Sequence, residues 1–252
     1  MGSFAAERET FFYNLNRYGF TLSKEEIKQN LITIFLISFM WSFDKWGTTT
    51  FNVLEGLKNL LIAIIFTTIA LIFFQIGQRI FAVYYGYDPI YEYCIAGLMI
   101  GMIITFASRG KIFFFLPGGI NLRHLRATRL GEFRYYTNQW EWAKIGFLGP
   151  FLNIFLAVIL SFFKQFDLVK ELIFINVMFA WLSLIPAPGN SGMYLFYPHI
   201  YFWVFIVGFV LSSSILILAV MFFNFQPLLI IIIGLVVGFY AMFTYYKKDG
   251  RW

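Results

Sequence analysis

Residues 172–246 read LIFINVMFAWLSLIPAPGNSGMYLFYPHIYFWVFIVGFVLSSSILILAVMFFNFQPLLIIIIGLVVGFYAMFTYY and contain no Asp, Glu, Lys or Arg. A helix crosses the hydrocarbon layer with about 20 apolar residues at about 1.5 Å each, so these 75 residues have room for three spans. The breaks place them at Leu172 to Ile185, Tyr201 to Phe223 and Pro227 to Tyr246. Pro186, Pro188, Gly189 and Pro198 separate the first two, and the Asn224 to Pro227 turn separates the last two.

The rest of the chain repeats this pattern in shorter runs. Gln29 to Phe43, followed by the aromatic anchors Trp41 and Trp46, predicts a first span; Asn59 to Gln78 predicts a second and Ile145 to Phe163 a third. Of 252 residues, 60% are hydrophobic and only 13% charged, about half the charged share of a soluble domain. With a mean hydropathy of +0.74, the chain is excluded as a water-soluble globule. No Pro/Gly/Ser-rich or charge-rich linker divides it, so residues 1–252 read as one membrane-embedded domain of the all-α polytopic class, with about six transmembrane helices.

Tyr93 to Ser108 is the ambiguous stretch. Its 16 uncharged residues reach about 24 Å as a helix, short of the roughly 30 Å core. Charge bias decides between the two topologies. If the stretch does not cross, then Arg8, Arg17, Lys24, Lys28, the seven basic residues from Arg109 to Lys144, and Lys247, Lys248 and Arg251 share one side. Lys45, Lys58, Lys164 and Lys170, balanced by Asp44, Glu55, Asp167 and Glu171, lie on the other. The positive-inside rule prefers that arrangement, with both termini cytoplasmic. It divides the chain into a cytoplasmic segment 1–26, two spans over 27–84, a re-entrant or hairpin segment with a basic cytoplasmic loop over 85–141, four spans over 142–246 and a tail 247–252. The segment from Tyr93 to about Ile120 is then expected to be re-entrant, or a hairpin such as the β-rich run Lys111 to Leu116 suggests, shielded by protein because lipid cannot satisfy bare backbone.

The net charge of +6 sits on loops rather than on a basic face, and Tyr135, Tyr136, Trp140 and Trp142 flank a span, so an interfacial belt is expected and no nucleic-acid partner. One cysteine, Cys94, allows no intrachain disulfide and reads as a small buried apolar residue. The start MGSFAAERET is polar, carries Glu7, Arg8 and Glu9, and is not expected to act as a secretory leader. It matches a myristoylation pattern only weakly, because Ala6 stands where Ser or Thr is wanted. The only charge within a proposed span region is Arg79, at the end of the second span, expected to snorkel to the cytoplasmic interface.

Three motifs carry a resemblance. The second span ends Phe73-Phe74-Gln75-Ile76-Gly77-Gln78-Arg79, the third begins Gly149-Pro150-Phe151-Leu152-Asn153, and the fourth ends Leu184-Ile185-Pro186-Ala187-Pro188-Gly189-Asn190-Ser191-Gly192. In order and spacing these resemble the HExxH, GPxxN and LIPIPPLDG signatures of the site-2 protease family of intramembrane zinc metalloproteases, in its archaeal branch. Ser23-Lys24-Glu25-Glu26-Ile27, Tyr84-Tyr85-Gly86 and Phe115-Leu116-Pro117-Gly118-Gly119 extend the likeness, which runs from about Leu22 to Phe196.

The resemblance implies a zinc site whose residues have been replaced. Its two histidine ligands would fall on Phe74 and Gln78, its glutamate base on Gln75 and its aspartate ligand on Ser191. A benzene ring does not ligate zinc, a neutral amide ligates it poorly, and Gln75 cannot take a proton at physiological pH. Only His124, His199 and Cys94 could rebuild a site elsewhere, and no cofactor is expected. Gly149 and Pro150 are read as a helix start, and Pro186 with Pro188 as a helix end.

The expected function is that of a pseudoprotease. It would bind transmembrane or membrane-proximal segments of other proteins through Asn153, Gln75, Gln78, Asn190 and Ser191, as scaffold, chaperone or regulator, with an active paralogue among the partners and the lipid bilayer as solvent. Asn153 reads equally as a group that bonds a peptide backbone or as a lock between helices, and Gln75 and Gln78 read as ties replacing the metal or as partner contacts. An active metalloprotease with a non-standard metal site, and a transporter or channel, remain open on the sequence alone.

Overall fold

Each predicted span coincides with a helix. In a computed structural model, which describes residues 11–47, 51–124, 138–222 and 227–249, a π-helical turn at Leu15–Gly19 leads into α1 (Lys24–Ser42) and α2 (Val53–Tyr84). There follow β1 (Tyr87–Glu92), α3 (Ile95–Ser108), β2 (Gly119–His124), α4 (Gln139–Ser161), α5 (Asp167–Leu182), a short α6 (Ser191–Phe196), α7 (Ile200–Phe222) and α8 (Leu228–Lys248). Glu7, Arg8, Glu9, Arg126, Arg129, Arg134, Tyr135, Tyr136, the Asn224 turn and Arg251 lie outside the described residues.

Capping chemistry sets the helix starts. Ser23 and Glu26 form a reciprocal capping box at α1, and the Asn52 and Asn138 side chains accept from the first free amides of α2 and α4. The 32 residues of α2 make it about 48 Å long, well beyond the predicted second span. Its outward stripe of Leu54, Leu57, Leu61, Ile65 and Ile72 is exposed and wholly apolar, which water would not tolerate and lipid does. Four helices are long and apolar enough to cross a membrane: α2, α4, α7 over Ile200–Val220 and α8 over Leu229–Lys248. By contrast α1 opens with Lys24, Glu25, Glu26 and Lys28, and α5 has only 16 residues.

Three apolar clusters form the core, the smallest of them packing β1 and β2 on α2 and α4 through Ala82, Tyr87, Ile120, Leu122 and Ile145; the other two are larger. One joins α4, α5, α7 and α8 through Ile154, Ile173, Phe209 and Ile230; the other joins α1, α2, β1, α3 and α5 through Ile37, Phe74, Tyr91, Leu98 and Phe179. Two expectations are corrected within this frame. The helix predicted to start at Gly149–Pro150 starts ten residues earlier, and α4 runs through Pro150.

The β-rich run Lys111 to Leu116 is extended but pairs with no strand. The strands are β1 and β2, antiparallel, with Tyr87 opposite His124 and Glu92 opposite Gly119. Between them α3 descends, the chain turns at Arg109 and Gly110, both at positive φ, and residues 111–118 return along α3. Gly97 and Gly101 allow this approach, since a Cβ at either would collide with Leu116 or with the Phe114 carbonyl. Gly110 lies against Phe43 and Asp44, so the hairpin tip reaches the far end of α1. Arg109 and Lys111 therefore sit at the Asp44 end and not with the basic loop, because the aromatic run that follows them is the return limb.

Candidate functional site

On α2, the six consecutive residues from Phe74 to Arg79 present two faces. Phe74 and Gln78, four residues apart, face α4; Gln75 and Arg79, also four apart, are rotated by about 100° toward α1 and β1. Gly149 brings α4 against the first face, since a Cβ there would lie 2.6 Å from both Gln78 Nε2 and a ring carbon of Phe74. Gly77 does the same from the other side against Leu152.

Pro150 then acts on the site from inside the helix. It has no N–H, so the carbonyl four residues back, on Gly146, loses its helical donor. Gln78 Nε2 supplies one at 3.3 Å and also donates to Ser191 Oγ at 3.3 Å. Ser191 donates from its backbone N and its hydroxyl to the Gly118 carbonyl, at 3.3 and 3.4 Å. Gln78 thus ties α2, α4 and α6 together, and through Gly118 ties them to β2. Gly192 lets α6 seat on the Leu184–Ile185 backbone, which a Cβ would strike.

The positions that the motifs singled out at 74, 78, 149 and 191 are neighbours, though they come from three separated stretches of chain. Asn153 lies one turn beyond Gly149 on α4, fully buried, with neither its Oδ1 nor its Nδ2 bonded among the described residues. Asn190 is also fully buried, but its amide donates to the carbonyls of Leu182, Ser183 and Ile185 and so closes the end of α5. Phe74 packs on Phe179 in the core, with ring centroids 6.4 Å apart.

The other face of α2 is a closed network. Arg79 is 3% exposed and its Nη2 lies 2.7 Å from Glu26 Oε1; its Nε and Nη2 donate to Gln75 Oε1, and its Nη1 to the Gly19 and Pro89 carbonyls. Gln75 Nε2 donates to Asn30 Oδ1 at 2.6 Å. Glu26 also accepts from Tyr91 N at 2.8 Å, and Gln29 Oε1 from Tyr93 N at 3.2 Å, so α1 covers the edge of β1 that β2 leaves open. The expectation that Arg79 snorkels to the interface is corrected: its partner, Glu26, is 53 residues away and invisible to a local reading. At the sheet, Tyr87 donates to Glu141 at 2.7 Å, and burial, aided by that carboxylate, pushes its hydroxyl up to about 12.

Zinc does not fit the residues at this site. The set comprises a hydrocarbon ring, a carboxamide that donates toward the centre and a neutral hydroxyl, with no group that becomes a strong ligand on losing a proton. Among the described residues no group of three or more His, Cys, Asp or Glu side chains could hold a metal ion. His124 packs on Tyr87, His199 stacks on Trp140, and Cys94 Sγ donates to the Pro188 carbonyl.

Composition, helix lengths and the apolar exposed faces define a multi-pass, mainly helical membrane protein. Comparison with protein-family models, curated proteins and solved structures finds no match for this chain.

Proposed function

We propose that the chain is a non-catalytic relative of the site-2 proteases that binds transmembrane or membrane-proximal segments of other proteins, an active relative among them. Six helices, α1, α2, α4, α5, α7 and α8, cross the membrane with both termini cytoplasmic, and α3 with residues 111–118 forms a hairpin packed against α1 and α5. Contacts at the two ends support this topology. Glu26 with Arg79, Trp140 with His199 and Tyr201 with Asp249 meet at one end, Lys45 with Glu171 at the other. Moving Arg109 and Lys111 to the Asp44 end narrows the charge bias without reversing it.

The observation that carries the binding function is Asn153. A lock between helices would have its amide bonded to a neighbour, whereas both polar atoms are buried without a partner among the described residues, one turn along α4 from Gly149, which packs on Phe74 and Gln78. An unmet amide in an apolar bundle costs about 1–3 kcal/mol, and an extended backbone supplies the missing donor and acceptor. The convergence of Phe74, Gln78, Gly149 and Ser191 supports the pseudoprotease character, because the positions that the resemblance assigns to the metal site lie together and carry side chains unable to do its chemistry.

A photo-crosslinking amino acid in place of Tyr194, beside Ser191, tests the reading in native membranes. The expected result is a reproducible adduct with a membrane-proximal protein segment that disappears in the Asn153→Leu variant. No protein adduct, or adducts indifferent to Asn153→Leu, would overturn it.

A further inference from the structure

Between α2, β2, α4 and α6 lies a cavity of about 10 Å³, lined among others by Gln78, Ile120, Leu122, Trp142, Ser191 and Tyr194. That is about the space one water molecule requires, and too little for anything larger. A cavity lined only by Ile120 and Leu122 would stay dry. Here two lining side chains each leave a buried polar atom without a partner in the protein, Gln78 Oε1 and Trp142 Nε1. One is an acceptor and the other can only donate.

That pairing selects the occupant. A cation would be repelled by the Trp142 N–H and finds no charged side chain among the lining residues; an anion would be repelled by Gln78 Oε1. Only a group that both donates and accepts serves both. We propose that a single resident water occupies this cavity, accepting from Trp142 Nε1 and donating to Gln78 Oε1 and to Ser191 Oγ, which accepts from Gln78 Nε2 and has a second lone pair free. Three partners are the usual complement of a buried water. It ties α2, α4 and α6 at the place where the resemblance puts a metal ion. The assignment of water does not rest on the proposed function, whose carrying residue, Asn153, is not among those that line this cavity.

X-ray radiolysis of the protein in lipid nanodiscs tests it, because hydroxyl radicals made from a bound water label the side chains beside it. Trp142 and Tyr194 are expected to be oxidised well above Phe115 and Phe179, which are fully buried. After transfer to H₂¹⁸O the label at Trp142 should retain ¹⁶O longer than the label at an exposed side chain. Gln78→Met, which deletes the acceptor, should lower oxidation at Trp142, and Trp142→Phe should lower it at Tyr194. Labelling of Trp142 no greater than that of Phe115 would overturn the proposal, and so would immediate exchange of the oxygen. Either failure leaves the crosslinking result on Asn153 untouched, so the two readings fall separately.

Discussion

Gln75 and Gln78 are the same residue type three positions apart on one helix, and they do opposite things. Gln75 lies in a network in which Arg79 and Asn30 supply partners for the two ends of its amide. Gln78 has two bonds from its nitrogen and none to its oxygen, beside an Asn153 with none at all. The closed network binds α1 to α2 and β1 and is structural. The incomplete one leaves polar atoms unmet in a bundle where that is costly, and it is the face to which the proposed binding function is assigned.

Restoring ligands separates the two faces most sharply. Phe74→His, Gln78→His and Ser191→Asp together should convert the Phe74 and Gln78 face into a zinc site, since structural zinc binding is worth about 10–16 kcal/mol and these positions already meet. Metal analysis after purification in mild detergent should give about one zinc per chain for the triple variant and well below one for the unaltered chain. A full equivalent in the unaltered chain, lost on mutating His124 or His199, would break the pseudoprotease reading. No zinc in a folded triple variant would break the match to the motif.

Next in size is the closed network. Arg79→Met leaves Glu26 charged and buried, which should destabilise the protein by about 3–5 kcal/mol, read as a fall in the midpoint of thermal unfolding in detergent. Glu26→Gln with Arg79→Met should recover part of the loss, because the Gln carbonyl can still accept from Tyr91 N. Asn153→Leu should do the reverse and raise stability by about 1–2 kcal/mol while removing the crosslink. A clear loss of stability would make Asn153 a lock.

How much of this was legible follows from what is local. Helix positions were, because an uncharged apolar run and its breakers are written in consecutive residues. The motifs singled out 74, 78, 149 and 191 as residues, and their packing together is what the structure adds. Arg79 was misplaced because Glu26 looks like an ordinary first-turn capping residue in a charged segment. The strands escaped because Tyr87–Glu92 holds Asp88, Pro89 and Glu92, which read as loop. Its alternation of buried Tyr87, Pro89 and Tyr91 was the available signal. Gly97 and Gly101, four apart on one helical face, likewise marked the return limb.

The smallest effect bears on topology. Lys45 and Glu171 pair at 2.7 Å with side chains 30% and 39% exposed, and Trp41 stacks beneath the ammonium 4.7 Å away. If this end of the molecule faces water, Glu171→Gln should cost less than about 1 kcal/mol, because the pair is solvated and the new amide oxygen can still accept from Trp41 Nε1. The loss should shrink further at about 1 M salt, where the Debye length is roughly 3 Å. A loss approaching that of Arg79→Met, insensitive to salt, would mean that this pair lies in hydrocarbon. The far ends of α1 and α5 would then not be at the membrane surface, and the six-crossing arrangement would have to be redrawn.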